Sequence, residues 1–263
     1  MKTCLVVEDL PESQRWLALA LRASFPSIAV ASAHSLREAR DWLAQHPAPE
    51  LALIDLGLPD GSGTDLIAEL QRRFHVSEIV DWTPHAADGR YLEGTGSLVL
   101  DAPRRLAYAC ESSRTDPALV RAWAARTGFV PVLFAAHDAA GRPIYHTNVV
   151  LCVGHGFAAC GLALVAAADR PRLREQLLTG GELIDLDPAQ IDRFAGNMLQ
   201  LVDRRGAPVL VLSRTALDAL RPAQVHALER HTALLPVAIP TIEGVGGGSA
   251  RCMLAELFLD PLS

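Results

Sequence analysis

VVLCVGHGFAACGLALVAAA, residues 149–168, is the stretch on which the fold turns. Its length is enough to cross a bilayer as one helix. Yet it carries His155 and the glycines Gly154, Gly156 and Gly161, and its centre reads as a turn. Two buried strands joined at VGHG are therefore expected, with no membrane span. Outward from this hairpin the same grammar continues. Short strand candidates include SLVLD (97–101), RLAYACE (105–111), VPVLFAA (130–136), NVVLCV (148–153), GLALVAA (161–167) and PVLVLS (208–213), with EIVDWT (78–83) and CMLAELFL (252–259) at the ends. Helical pieces lie between them: DPALVRAWAART (116–127), RPRLREQLL (170–178), DPAQIDRFAG (187–196) and TALDALRPAQVHALERH (215–231). EGTG, AAGRP, TGGE and RRGAP mark turns. This spacing suggests repeated ββαβ-like units, although residue identity does not demonstrate a repeat.

The chain has 263 residues, which bounds it to one large domain or two small ones. Hydrophobic residues make up 50% and charged residues 21%, a balance that supports a packed core. A formal charge of -6 argues against a grip on nucleic-acid phosphates. The five cysteines (Cys4, Cys110, Cys152, Cys160, Cys252) are scattered, without CxxC or His/Cys ligand spacing, so neither a zinc site nor a disulfide framework is expected. MKTCLVVEDLPE turns acidic at once, unlike a signal peptide, and the expected location is cytoplasmic. Oligomeric state is not readable from these features.

The first part of the chain has a different grammar. CLVVEDL (4–10), IAVASA (28–33) and ELALIDLGLPDGSG (50–63) read as strands that alternate with the helical segments SQRWLALALRASF (13–25), SLREARDWLAQH (35–46) and TDLIAELQRRF (64–74). This βαβαβα order implies a parallel, doubly wound α/β sheet with ligands beyond the carboxyl ends of its strands. Glu8, Asp9 and Asp55 fall at those ends. VVEDLPESQRWL (6–17) and LALIDLGLPDGSGTDLI (51–67) resemble the flavodoxin-like receiver domain of two-component response regulators. The resemblance implies that Glu8, Asp9 and Asp55 hold Mg²⁺, that Asp55 accepts a phosphoryl group, and that the partner is a histidine kinase. Hard carboxylate oxygens suit Mg²⁺, while solvated acids at strand ends are the structural alternative. The resemblance stops after Phe74, and the receiver's lysine is absent because Lys2 is the only lysine in the chain.

In the remainder, YLEGTGSLVLD (91–101), CESSRTD (110–116), PIYHTNVVLCVG (143–154) and GGGSARCM (246–253) concentrate the rarer residue types. They bring Glu93, Arg114, His146 and Cys252 into one constellation. Cysteine, histidine and a carboxylate are the parts of a nucleophilic thiol site. A thiolate attacks, an imidazole moves protons near neutral pH, and glycines let backbone approach a ligand. Each residue also has a structural alternative: a core Cys252 opening a buried strand, a hydrogen-bonded His146, a simple turn at EGTG. Together LEGTGSLVLD, AYACESSRTD, IYHTNVVLCVG, FAGNMLQL and TIEGVGGGSARCMLAE resemble, in order, the guanidino-modifying (pentein) superfamily, and within it the citrulline-utilisation hydrolases related to arginine deiminases. The resemblance implies Cys252 as nucleophile, His146 as general acid/base and Glu93 as the carboxylate that orients substrate. Arg114 would read an α-carboxylate and Asn148 the substrate head group, with Asn197 in the pocket wall. The substrate would be a small molecule, an amino acid, citrulline before arginine, and the chemistry needs no cofactor.

Two domains are thus expected. Residues 1–75 form a partial receiver-like unit, and residues 76–263 an incomplete α/β propeller of pentein type that lacks its N-terminal unit. Three accounts of this pairing stand: a natural hybrid whose receiver strands cover the missing unit, an inactive relic, and a faulty junction of two genes. A phosphorylation-responsive signalling protein with a non-catalytic C-terminal scaffold is the alternative function.

Overall fold

The structure, a computed structural model, describes residues 3–11, 14, 15, 18, 28–47, 49, 51–55, 57–71, 80, 82–203 and 205–254. The chain divides into two units, Met1–Val80 with Glu256–Ser263, and Asp81–Ala255.

In the first unit β1 (Thr3–Val7), β2 (Ala29–Ala33) and β3 (Leu51–Ile54) form a parallel sheet in the order β2-β1-β3. The alternation of apolar runs and helical periodicity therefore gives the parallel arrangement expected of it. Helix α1 (Leu36–Gln45) starts where Ser35 caps it, its hydroxyl accepting from the Glu38 N–H at 3.1 Å. The Asp60 carboxylate takes two more first-turn donors, Leu36 N–H at 2.8 Å and Arg37 N–H at 2.9 Å. Leu36, Ala39 and Leu43 form one helical stripe against Leu5, Val7 and Leu66, the last on α2 (Gly63–Gln71). A tight hairpin, β4 (Gly57–Leu58) with β5 (Gly61–Ser62), joins β3 to α2. Most of SQRWLALALRASF, half of EIVDWT and the end of CMLAELFL lie outside the described residues.

The second unit repeats one motif three times. β6 (Val99–Asp101) and β7 (Leu106–Cys110) are antiparallel; α3 (Pro117–Thr127) then returns the chain to β8 (Val130–Phe134), parallel to β7. β9 (Leu151–Gly154), β10 (Gly156–Cys160), α4 (Arg170–Thr179) and β11 (Gly181–Asp185) repeat this, with β9/β10 antiparallel and β10/β11 parallel. β12 (Leu199–Val202), β13 (Pro208–Ser213), α5 (Arg214–Ala219), α6 (Pro222–Glu229) and β14 (Ala233–Val237) repeat it again. Expectation and structure differ in detail. The strand after VGHG is Gly156–Cys160 rather than 161–167, and Leu162–Leu164 is a 3₁₀ turn. β11, β12 and β14 go beyond the strand candidates: GELID and LQLV are short and mixed in polarity, and ALLPV is interrupted by Pro236. TALDALRPAQVHALERH is two helices, because Pro222 opens the second and cannot continue the first.

The stretch 149–168 is apolar on both sides of its central turn for a reason unrelated to lipid. Leu151, Ala158 and Cys160 face one core with Tyr108, Phe134 and Leu173. Cys152, Phe157 and Ala159 alternate to the other face, with Met198, Leu210 and Leu228. The middle sheet is buried on both sides, so neither face needs polar residues. Among the described residues, no helix is long and apolar enough to cross a membrane.

Candidate active site

Each repeat of the second unit is entered through a short turn just before its first strand. Gly94–Ser97 precedes β6 with Glu93 at its N-cap, and Thr147–Val150 precedes β9 with His146 at its N-cap. Neither cap side chain bonds its own turn, so both are free to face elsewhere. Asn197 stands two residues before β12. Cys252 lies in the 3₁₀ turn Ala250–Met253, after the third repeat, and is not the first residue of a strand.

These turns are hydrogen-bonded in succession. Thr147 Oγ1 donates to Ser97 O at 2.6 Å, and Asn148 Nδ2 to Thr95 O at 3.1 Å. Asn197 Nδ2 donates to Asn148 O at 2.9 Å, and Arg251 N donates to Asn197 Oδ1 at 3.0 Å. Ser97, fully buried, ties in Arg114's loop, donating to Arg114 O at 2.8 Å and accepting from Glu93 N at 2.9 Å.

On this frame the expected residues form two adjoining groups. In one, His146 Nε2 meets Glu93 Oε2 at 2.7 Å, and Arg114 Nη1 donates to the same carboxylate at 3.2 and 3.4 Å. An ionised Glu93 fixes the hydrogen of a neutral His146 on Nε2 and leaves Nδ1 as acceptor. The ring lies flat over Gly96: a Cβ there would stand 2.7 Å from His146 Cε1. In the other group, Asn197 Nδ2 donates to Cys252 Sγ at 3.1 Å, and the thiol donates to Asn148 Oδ1 at 3.8 Å. Asn148, two residues after His146, joins the groups.

The structure gives Glu93 and Arg114 an additional relation, since each already holds the other. It also brings in residues that motif reading left out. Tyr145 Oη donates to Gly247 O at 3.0 Å, and its ring lies 4.9 Å from that of His146. Burial raises the Tyr145 phenol, as does the charge of Cys252, while Arg114 opposes them. Glu243 accepts from Ser249 Oγ at 2.7 Å and Thr215 Oγ1 at 2.6 Å, fixing the glycine loop that leads to the thiol. A Glu followed six residues later by Ser is too common a pattern to flag this anchor.

A cavity of about 460 Å³ opens on Cys252, lined also by Tyr145, Asn197, Asp138, Arg142 and Asp192. His146 and Glu93 do not line it. Cys252 is exposed and the other four cysteines are buried. Burial pushes the thiols of Cys4, Cys110 and Cys152 up to about 12, and that of Cys160 higher still. They stay protonated, which leaves Cys252 as the accessible sulfur.

In the first unit Glu8, Asp9 and Asp55 each offer an oxygen within 4.8 Å of the others. Burial raises the Glu8 carboxyl and the neighbouring acids add to it, against the Leu10 N–H that it accepts. An all-carboxylate donor set at this spacing fits a hard divalent ion such as Mg²⁺.

Comparison with known proteins bears on the fold and the family. ArgZ, an arginine dihydrolase from the ornithine-ammonia cycle in cyanobacteria, superposes in its apo form with TM-score 0.62 at 13% identity, covering 99% of this chain and 40% of that chain. The N-terminal domain of ArgZ, as a mutant bound to substrate, gives 0.61 at 14% identity over 93% of this chain and 86% of that one. SxtG, an amidinotransferase from Microseira wollei in the saxitoxin biosynthetic pathway, gives 0.51 at 12% identity over 92% and 78%. These likenesses show the pentein-like fold. The response regulator protein PilR of Pseudomonas aeruginosa is 39% identical over 69 residues, 26% of this chain but only 15% of that protein. The profile of the family described as N,N dimethylarginine dimethylhydrolase, eukaryotic, matches residues 39–259. That is well over half of the sequence, and the chain belongs to this family.

Proposed function

We propose that this chain is a cysteine-dependent hydrolase acting on the ureido or guanidino group of an amino acid, with citrulline preferred to arginine. The observation that carries the reading is the meeting of an exposed thiol with Asn148 and Asn197, while His146, bonded to Glu93, opens the turn that holds Asn148. His146 takes the proton of the Cys252 thiol, and the thiolate attacks the trigonal carbon of the substrate. The C–N bond breaks and His146 supplies the proton with which ammonia departs. A ureido group leaves a thioester-like intermediate and a guanidino group a thiouronium. Water then gives a proton to His146 and adds to that carbon, the C–S bond breaks, and the thiolate returns. Glu93 steadies the imidazolium formed on the way.

Arg114 is the α-carboxylate reader in this scheme. Its side chain is 55% exposed, and its planar fork can exchange Glu93 for a substrate carboxylate. Asn148 turns Oδ1, a neutral acceptor, toward the sulfur. It takes an N–H from either head group but sets no opposite charge against a cation, which favours the neutral ureido group. ArgZ's activity on arginine and the family's name add arginine and N,N-dimethylarginine to the substrates to be tried.

The test is to incubate purified protein with citrulline, arginine and N,N-dimethylarginine and to measure released ammonia or amine. Turnover is expected to vanish in Cys252→Ser, whose hydroxyl supplies almost no nucleophile near neutral pH. Full turnover in the serine variant would make Cys252 structural and the scheme wrong. For the first unit we propose a receiver-derived acid cluster in which Glu8, Asp9 and Asp55 would hold Mg²⁺. Without the lysine it supports no phosphorylation signal, so neither a histidine kinase nor a phosphorelay is part of the reading.

A further inference from the structure

We propose that Asn197 is the positioning residue of the Cys252 nucleophile, one buried amide that both aims the sulfur and fixes the turn carrying it. The inference rests on the reading of Cys252 as nucleophile.

Asn197 is 2% exposed and spends its whole hydrogen-bonding capacity in this one place. An amide has two N–H donors and an oxygen with two lone pairs. The donors go to Cys252 Sγ at 3.1 Å and Asn148 O at 2.9 Å. The oxygen accepts from Arg251 N at 3.0 Å and Cys252 N at 3.4 Å. The network also sets the amide's orientation, because the reverse flip would point NH₂ at two backbone N–H groups.

A residue that only filled a wall would need none of these bonds to reach the sulfur. A donor aimed at sulfur binds the thiolate more strongly than the thiol, so it favours the reactive form. Asn148 acts oppositely, since its Oδ1 accepts the S–H and gains nothing from the thiolate. Asn197 is thus the neutral group that offsets Asn148 beside the sulfur. It also fixes where the sulfur stands relative to Asn148 and, two residues earlier on the same turn, His146.

The test is the pH profile of Cys252 alkylation by iodoacetamide, which needs no substrate. Cys252 is exposed and the other four thiols are buried, so a folded chain takes up one label. The groups around the sulfur, Tyr145 with Asp138, Arg142 and Asp192 of the cavity, remain in every variant. In Asn197→Ala the midpoint should rise by about one pH unit and the rate near neutrality fall about tenfold. Asn197→Asp keeps an oxygen for the two backbone N–H groups but loses the donor and adds a negative charge, so its midpoint should rise further. An unchanged midpoint in a chain that takes one label would overturn the proposal. So would five labels in both variants, which would make Asn197 a residue of the fold. A shifted midpoint in a chain inert toward every ureido and guanidino compound would sink the hydrolase reading and leave the role of Asn197 standing.

Discussion

Gly96→Ala asks the least of the chain and the most of the mechanism. The added methyl carbon would stand 2.7 Å from His146 Cε1, 2.8 Å from Nδ1 and 2.9 Å from Nε2. Carbon contacts settle at about 3.5–4.0 Å, so the ring must withdraw by about 0.8 Å. If it moves away from Glu93, the 2.7 Å bond opens to about 3.5 Å, past the usual limit of about 3.2 Å. Overpacking of this kind costs about 1–3 kcal/mol of stability, which a domain of this size tolerates. Catalysis is less forgiving: a misplacement of about 1 Å is worth about a hundredfold, and a lost acid/base about 10²–10⁴-fold. We therefore expect kcat to fall about a hundredfold or more on the best of the three substrates, while thermal melting shifts only by a few degrees. The assay is ammonia or amine release at saturating substrate, with iodoacetamide labelling to confirm one reactive thiol. A melt like that of the parent chain together with undiminished turnover would refute the reasoning, because catalysis would then not need His146 where Glu93 holds it.

Three other outcomes follow from the site and the core. Asn148→Asp should narrow the gap between citrulline and arginine, because a carboxylate forms charge-assisted bonds to a guanidinium worth about 1.5–3 kcal/mol; a variant that discriminates against arginine more sharply would remove Asn148 from head-group recognition. The buried thiols should make the fold sensitive to alkali. The folded chain keeps protons on Cys110 and Cys152 up to about 12, whereas an unfolded thiol sheds its proton near about 8.5. Stability contributed by these groups is complete below the unfolded value and falls as pH rises above it, by up to about 1.4 kcal/mol per thiol per pH unit. A melting temperature that stays level through this range would contradict it. Acetyl phosphate with Mg²⁺ should label Asp55 weakly and leave hydrolysis unchanged, as read by mass spectrometry; strong labelling with a change in rate would bring the signalling reading forward.

Where one face of an element is buried, or a cap is unambiguous, the sequence is a good guide. Ser35 before LREARDWLAQ marks the start of α1, and the alternation of CLVV, AVASA and LALI with helices leads to the parallel sheet. The repeated ββαβ pattern is legible from turn spacing, although β11, β12 and β14 are not, because GELID and LQLV are short and mixed in polarity and ALLPV carries a proline that argues against a strand. The site's residue types are visible as rare residues beside glycines. Their relations are not: Glu93 reaches His146 across 53 positions and Asn197 reaches Cys252 across 55. The sequence alone makes Asn197 a wall residue, because a single Asn in an apolar run gives no sign of what it bonds. Tyr145 is not legible in the sequence, because its partner is a backbone carbonyl 102 residues away.

The succession of entry turns has a bearing on how such a protein changes over generations. Glu93, His146, Asn197 and Cys252 each stand at a turn that opens a structural unit or follows the last one, and each turn leans on the one before it. A unit copied within a gene would arrive with its side chain already pointed at the common centre. Its chemistry could then drift alone, through one codon at one doorway, while the sheets behind it kept their shape. Selection would find in this architecture an acid, a base, an amide and a thiol that can be exchanged separately, and a lineage could move among carbon–nitrogen bond reactions without having to invent a new fold.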